Sequence, residues 1–316
     1  MNVTLILDAA APSFLTQAQD LRAFLRAGDI GAESCALWLF FRTQKPGRLP
    51  AFDLPVRQVI WLRLPDEPDV AEQRLVLLEQ AWQADPAQLL LFTDRAAGAE
   101  LAARLAYRLN GSACAGVERG RVSAQVCEAD KTVYANNMDA TLAPGPAPWC
   151  LSVMRTGGGS VAVSSHDAPQ WEISLTEPRP GWLVAIDEEA PQTENALLRA
   201  DRVLAIGQGV GSAESLQHLQ PLAERLRAEI GVSRPVAMNH WCGMEKMLGM
   251  SGAVVAPEIC IVAGASGAAA FEEGIRRSRF IVAINRDPEA AVFAGADVSI
   301  VDDMHAVLDG LAQYLE

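Results

Sequence analysis

No run in the 316 residues reaches the ~18–20 uninterrupted apolar positions that a membrane-spanning helix needs. Positive charge is scarce: 26 Lys and Arg stand against 39 Asp and Glu, for a formal net charge of −13. Nucleic acid is bound through a basic footprint, so this balance argues against it and against anionic membrane surfaces, while leaving room for a basic protein partner. Zinc spacing is missing too. The six cysteines (Cys35, Cys114, Cys127, Cys150, Cys242, Cys260) form neither a CxxC nor a cluster with histidine, which excludes a structural zinc and a disulfide framework and predicts buried, reduced thiols. The opening MNVTLILDAAAPSF has no basic n-region and no Arg-rich presequence. It reads as a first strand, and a bacterial cytoplasmic protein is expected. His166-Asp167 beside Ser164 and Ser165 is adjacency rather than a catalytic triad.

What remains is a chain half of whose residues are hydrophobic, long enough for two domains with their own cores. Strands are predicted at 3–7, 35–41, 59–64 and 89–92, and helices at 15–27, 70–84 and from Asp94 onward, where apolar residues recur at three and four. This alternation implies a parallel sheet. From 112 to 153 the apolar runs are short and punctuated, which predicts antiparallel strands finishing the first domain. We place domain one at 1–163 and a polar, Pro-containing linker at 164–180, where 171–173 could add an edge strand. Domain two follows at 181–316.

The second domain repeats one pattern. The apolar run 259–263 ends in Gly264-Ala265-Ser266-Gly267 and an Ala-rich helical stretch; 280–284 ends in Asn285-Arg286-Asp287-Pro288; 297–301 ends at Asp302-Asp303 before a terminal helix. Runs apolar on both faces, alternating with helices, predict an α/β fold with a doubly wound parallel sheet. Ligands of such sheets bind beyond the carboxyl ends of the strands. The crown of Gly, Ser, Asn and Asp there reads either as turns and caps or as a nucleotide site, and three successive strands ending this way favour the site. Upstream, 203–206 leads into Gly207-Gln208-Gly209-Val210-Gly211-Ser212. This lacks G-x-G-x-x-G spacing and reads as a phosphate turn or as a tight strand-to-helix turn capped by Ser212.

The strings PEICIVAGASGA, FIVAINRDPEAAVF and ADVSIVDD, with GVSRPVA and SGAVVAP before them, resemble the C-terminal signature of the electron-transfer flavoprotein alpha subunit. The resemblance runs from about Asp201 to the end, and more faintly through YANNMDATL and WCLSVMRTG. It implies an N-terminal α/β domain, a C-terminal FAD domain, and a heterodimer with a beta subunit that completes the flavin site. It also implies electron flow from a flavoprotein dehydrogenase to an acceptor, often a membrane quinone reductase, with no substrate bond made or broken.

Carried over residue by residue, the resemblance puts Ser233 and Arg234 at the flavin, where a fixed guanidinium stabilises added negative charge. Met250, Ser251 and Gly252 fall where a family hydroxyl meets the flavin. Gly264, Ala265, Ser266, Gly267 and Ala268 match the pyrophosphate loop, and Asn285 and Asp303 match residues at the ribose and adenine end. The chain also departs from the family. Gln208 stands where Arg is usual, Ala270-Phe271 where Gln-His is common, and Trp241, Met247 and Met250 where polar residues are common; His240 is a candidate substitute for the missing histidine. Phe271 can pack but can neither donate a hydrogen bond nor carry charge. FAD binding is therefore expected, and the alternative is a flavin- or nucleotide-binding module that no longer transfers electrons.

Overall fold

The computed structural model describes all residues except 67, 95–96, 135–137, 155–160, 166, 176–179, 187–194 and 315–316. Asn136, Asn137, 157–159, His166 and Leu315, the last position of the expected terminal helix, lie outside the described residues. The chain divides into two compact units, 1–190 and 191–316.

In the first unit, the residues predicted as strands and helices form β1 (Val3–Asp8), α1 (Phe14–Ala27), β2 (Cys35–Phe41), β3 (Val56–Arg63), α2 (Ala71–Ala84), β4 (Leu89–Thr93) and α3 (Gly98–Arg108). They continue into β5 (Ser112–Val117), β6 (Arg119–Val122), β7 (Cys127–Val133), β8 (Met138–Leu142), β9 (Trp149–Val153) and β10 (Gln170–Ser174). Seven strands make one sheet in the order β10-β3-β2-β1-β4-β9-β5, every pair parallel. β1, β2, β4 and β9 are buried along their whole length. Their side chains alternate between two cores, Leu37 and Leu39 on one face and Trp38 and Phe40 on the other.

One expectation is corrected here. Of the strands between 112 and 153, β6, β7 and β8 pair antiparallel, in a small second sheet, whereas β5 and β9, also expected to be antiparallel, belong to the parallel sheet. WCLSV is buried on both faces between β4 and β5, and the three strands inserted between β5 and β9 hide that from a local reading. The edge strand expected at 171–173 is present as β10, which pairs with β3 at the edge of the sheet, and Val163–Ser164 pairs with Leu49–Pro50.

The second unit contains β11 (Arg202–Ile206), α4 (Ala213–His218), α5 (Gln220–Leu226), β12 (Glu229–Val232), α6 (Arg234–Met238), β13 (Ile259–Ala263), α7 (Ala269–Ile275), β14 (Ile281–Asn285), β15 (Val298–Val301) and α8 (Met304–Tyr314). Its sheet runs β12-β11-β13-β14-β15, all parallel. Leu204 and Ile206 face the core made with α4, α5 and α8, while Val203 and Ala205 face the core made with α7. This is the doubly wound arrangement expected. The chain leaves β11 toward one edge and returns to β13 on its other side, so the direction of winding reverses between β11 and β13, the position where such sheets take ligands. No helix among the described residues is long and apolar enough to cross a membrane.

Candidate functional site

The loops after β11 and β13 are interlocked through glycine. A Cβ on Gly207 would lie 2.1 Å from the Gly264 carbonyl oxygen, and one on Gly209 would lie 2.9 Å from the Gly264 Cα. Gly264 (φ +67°) and Gly267 (φ +83°) occupy the left-handed region that favours glycine. Side chains are therefore excluded from the contact, and backbone meets backbone.

The polarity of the loop follows from where its carbonyls go. Gly207 N–H donates to Ala263 O (2.8 Å), Gly209 N–H to Gly264 O (3.0 Å), Asn285 Nδ2 to Ala265 O (2.7 Å) and Val292 N–H to Ser266 O (3.2 Å). Four consecutive carbonyls are thus drawn into the protein. In a trans peptide the N–H points opposite to the C=O of the same plane, so the amides of Gly264, Ala265, Ser266 and Gly267 are turned the other way, and the first of them meets Ile284 O (2.9 Å). Among the described residues, the N–H groups of Ala265, Ser266, Gly267 and Ala268 donate to no protein acceptor. Successive unpaired amides on one side of a turn form a concavity of partial positive charge suited to an anion.

Beside this loop lies a cavity of about 380 Å³, within the range of small-molecule sites. Its walls bring together Ser233, Arg234, Met250, Ser251, Gly264, Ala265, Ser266, Gly267, Ala268 and Phe271, ten of the thirteen residues expected from sequence. Gly252, Asn285 and Asp303 are not part of the lining. Gly252 serves the turn, since a Cβ there would meet Met247 O at 2.2 Å. Asn285 donates to Ala265 O and accepts from Asp287 N–H (3.0 Å). Asp303 accepts from Ala306 N–H (3.0 Å) at the start of α8 and pairs with Arg286. The Ala306 N–H, with help from Arg286, holds its carboxyl below the usual carboxylate range. His240 is exposed at φ +58° and is not a lining residue.

The lining also contains residues the sequence reading left out of the site: Pro235, Met247, Leu248, Gly249 and Ala270, together with Gln208 from the turn read as ambiguous. Leu248 N–H donates to Val232 O (2.8 Å), setting the segment 247–251 beside β12 as one lip of the cavity. Met250 N–H donates to Ala270 O (2.8 Å) and ties the same lip to α7. Among the described residues Arg234 is the one charged side chain in the lining; Pro235, Met247, Leu248, Met250 and Phe271 make most of it apolar. An apolar slot with one guanidinium, next to an amide nest, suits a planar ring system joined to a phosphate.

The equivalent crevice of the first unit, beyond β1 and β4, is closed. Arg74 pairs there with Asp8 (2.7 Å) and Asp69 (2.5 Å), and Arg42 pairs with Asp69 (2.5 Å). The space left is about 20 Å³, room for little more than a water. No cluster of three or more potential metal ligands exists among the described residues.

Comparison with known proteins points to the same unit. Residues 196–276 match the family model described as the electron transfer flavoprotein FAD-binding domain. YgcQ of Escherichia coli (strain K12), provisionally named an electron transfer flavoprotein subunit, is 42% identical over 245 residues, covering 78% of this chain and 84% of its own. Protein FixB of Escherichia coli O81 (strain ED1a) is 30% identical over 260 residues, 79% of this chain and 81% of its own. The electron transfer flavoprotein subunit alpha of Paracoccus denitrificans is 33% identical over 185 residues, 58% of this chain and 59% of its own.

Proposed function

The chain belongs to the electron transfer flavoprotein alpha-subunit family, and from that premise we propose that it binds FAD in the cavity of its C-terminal unit. It pairs with a beta subunit and passes electrons, in the cytoplasm, from a flavoprotein dehydrogenase to an acceptor such as a quinone reductase. The observation that carries this reading is the row of unpaired amides at residues 265–268 beside an apolar cavity at the sheet's switch point.

FAD, when bound, supplies reversible electron uptake; the chain supplies binding and electrostatics. The N–H groups of Ala265, Ser266, Gly267 and Ala268 hold the diphosphate. Met247, Leu248 and Phe271 enclose the ring and exclude water from it. Arg234, in the lining of the cavity, would supply positive charge near the ring and lower the cost of added negative charge. Ser233, Ser251 and the Met250 lip orient the ring's edge, and Gly252 keeps the lip's turn tight. Both carboxylate oxygens of Asp303 are engaged, but each can accept a further bond, which leaves this residue open to a ribose hydroxyl.

The test is purification of the chain with its beta subunit, followed by release and identification of the flavin. Equimolar FAD is expected. A complex that carries no flavin and takes up none from solution overturns the reading. It would favour the second one, a structural module without electron transfer, to which the apolar wall of Ala270 and Phe271 also lends support.

A further inference from the structure

We propose that Asn285 is a positioning residue for the 264–268 loop, acting on the loop's backbone. The proposal rests on the reading of this loop as the holder of the FAD diphosphate.

Three peptide planes decide where the amides of Ala265, Ser266 and Gly267 point. The plane carrying Ala265 N–H is fixed by Gly209 N–H on Gly264 O, and the plane carrying Gly267 N–H by Val292 N–H on Ser266 O. The middle plane, carrying Ser266 N–H, is fixed by Asn285 Nδ2 on Ala265 O at 2.7 Å, the shortest of the three. Asn285 is the one side chain in this lock; the other donors are main chain.

The amide of Asn285 is itself held in place. Its Oδ1 accepts from Asp287 N–H at 3.0 Å, so the donor end is aimed at the loop. Without the Nδ2 bond, the Ala265 carbonyl can swing outward. A partial negative charge then replaces the Ser266 N–H at the anion's position. Asn285 ends β14, which already grips the loop through the bond from Gly264 N–H to Ile284 O (2.9 Å). The carboxyl end of one strand thus orients the loop of its neighbour.

Two variants separate this role from a turn cap and from ligand contact. Asn285→Asp keeps an acceptor for Asp287 N–H but sets a carboxylate against the Ala265 carbonyl; Asn285→Ala removes both bonds. Hydrogen exchange is followed at the amides of Gly209 and Val292 in the ligand-free protein with its partner, alongside thermal unfolding and FAD affinity. Exchange at both amides should quicken about three- to tenfold in Asn285→Ala, the worth of one hydrogen bond, and more in Asn285→Asp. Thermal unfolding should shift little, and FAD affinity should fall in the same order.

An Asp variant that behaves as wild type while Ala is impaired would reduce Asn285 to a cap and overturn the proposal. Unchanged exchange in the ligand-free protein with weakened FAD binding would overturn it in favour of direct contact. If the wild type binds no FAD, the reading of the loop's ligand fails, and the exchange measurement alone still decides the role of Asn285.

Discussion

Two residues of the cavity carry the electrostatics. Among the described residues Arg234 is the one charged group in the lining, and Phe271, buried in α7, adds an apolar ring to it. Negative charge added to a bound ring is costlier to hold beside Phe271 than beside a donor. Arg234→Ala should therefore lower the reduction potential of bound flavin, and Phe271→His should raise it. A charge-assisted hydrogen bond is worth about 1.5–3 kcal/mol, about 30–65 mV for a two-electron couple. Potentiometric titration of the heterodimers checks both, and potentials unmoved in both variants would remove these residues from control of the flavin. Arg234 and Phe271 were readable in the sequence because Arg234 sits in a recognisable string and Phe271 follows closely on another. The commitments of Asn285 and Asp303 were not, because a polar residue at a strand end can face a ligand or its own backbone, and composition does not distinguish them.

At the scale of elements, the same strand-end position has opposite fates in the two units. Beyond β11 and β13 small residues keep the crevice open, whereas beyond β1 and β4 an Asp8–Arg74–Asp69–Arg42 chain of ion pairs fills it. The Asp8 and Asp69 side chains are 8% and 3% exposed, so removing Arg74 leaves Asp8 charged and unpaired. Breaking one side of a buried pair costs about 3–5 kcal/mol, and urea unfolding of Arg74→Met should show a loss of that size. Adding Asp8→Asn should restore part of it; a loss below about 1 kcal/mol would mean that the pairs are not what closes the crevice. Strand and helix positions were largely legible because both sheets are built from apolar runs alternating with helical stretches. The 247–251 lip was not, since single bonds to Val232 and Ala270 place it rather than any periodicity. The parallel direction of β9 was hidden as well, because its partners β4 and β5 are separated from it by antiparallel strands.

For the whole molecule, two parallel sheets divide the work: one unit closes its crevice with its own charges, and the other presents amides and an apolar slot. The thiols fit a chain without structural disulfides. Burial pushes Cys150 and Cys260 up to about 12, so neither is a ready nucleophile. The central claim is that the amides of residues 265–268 receive the FAD diphosphate. Hydrogen exchange across the heterodimer, with and without FAD, tests it most directly. The account predicts slowed exchange at residues 265–268 and along the 247–251 lip, with no change around Asp8 and Thr93. Protection confined to the first unit, or none at 265–268 with FAD bound, would contradict it.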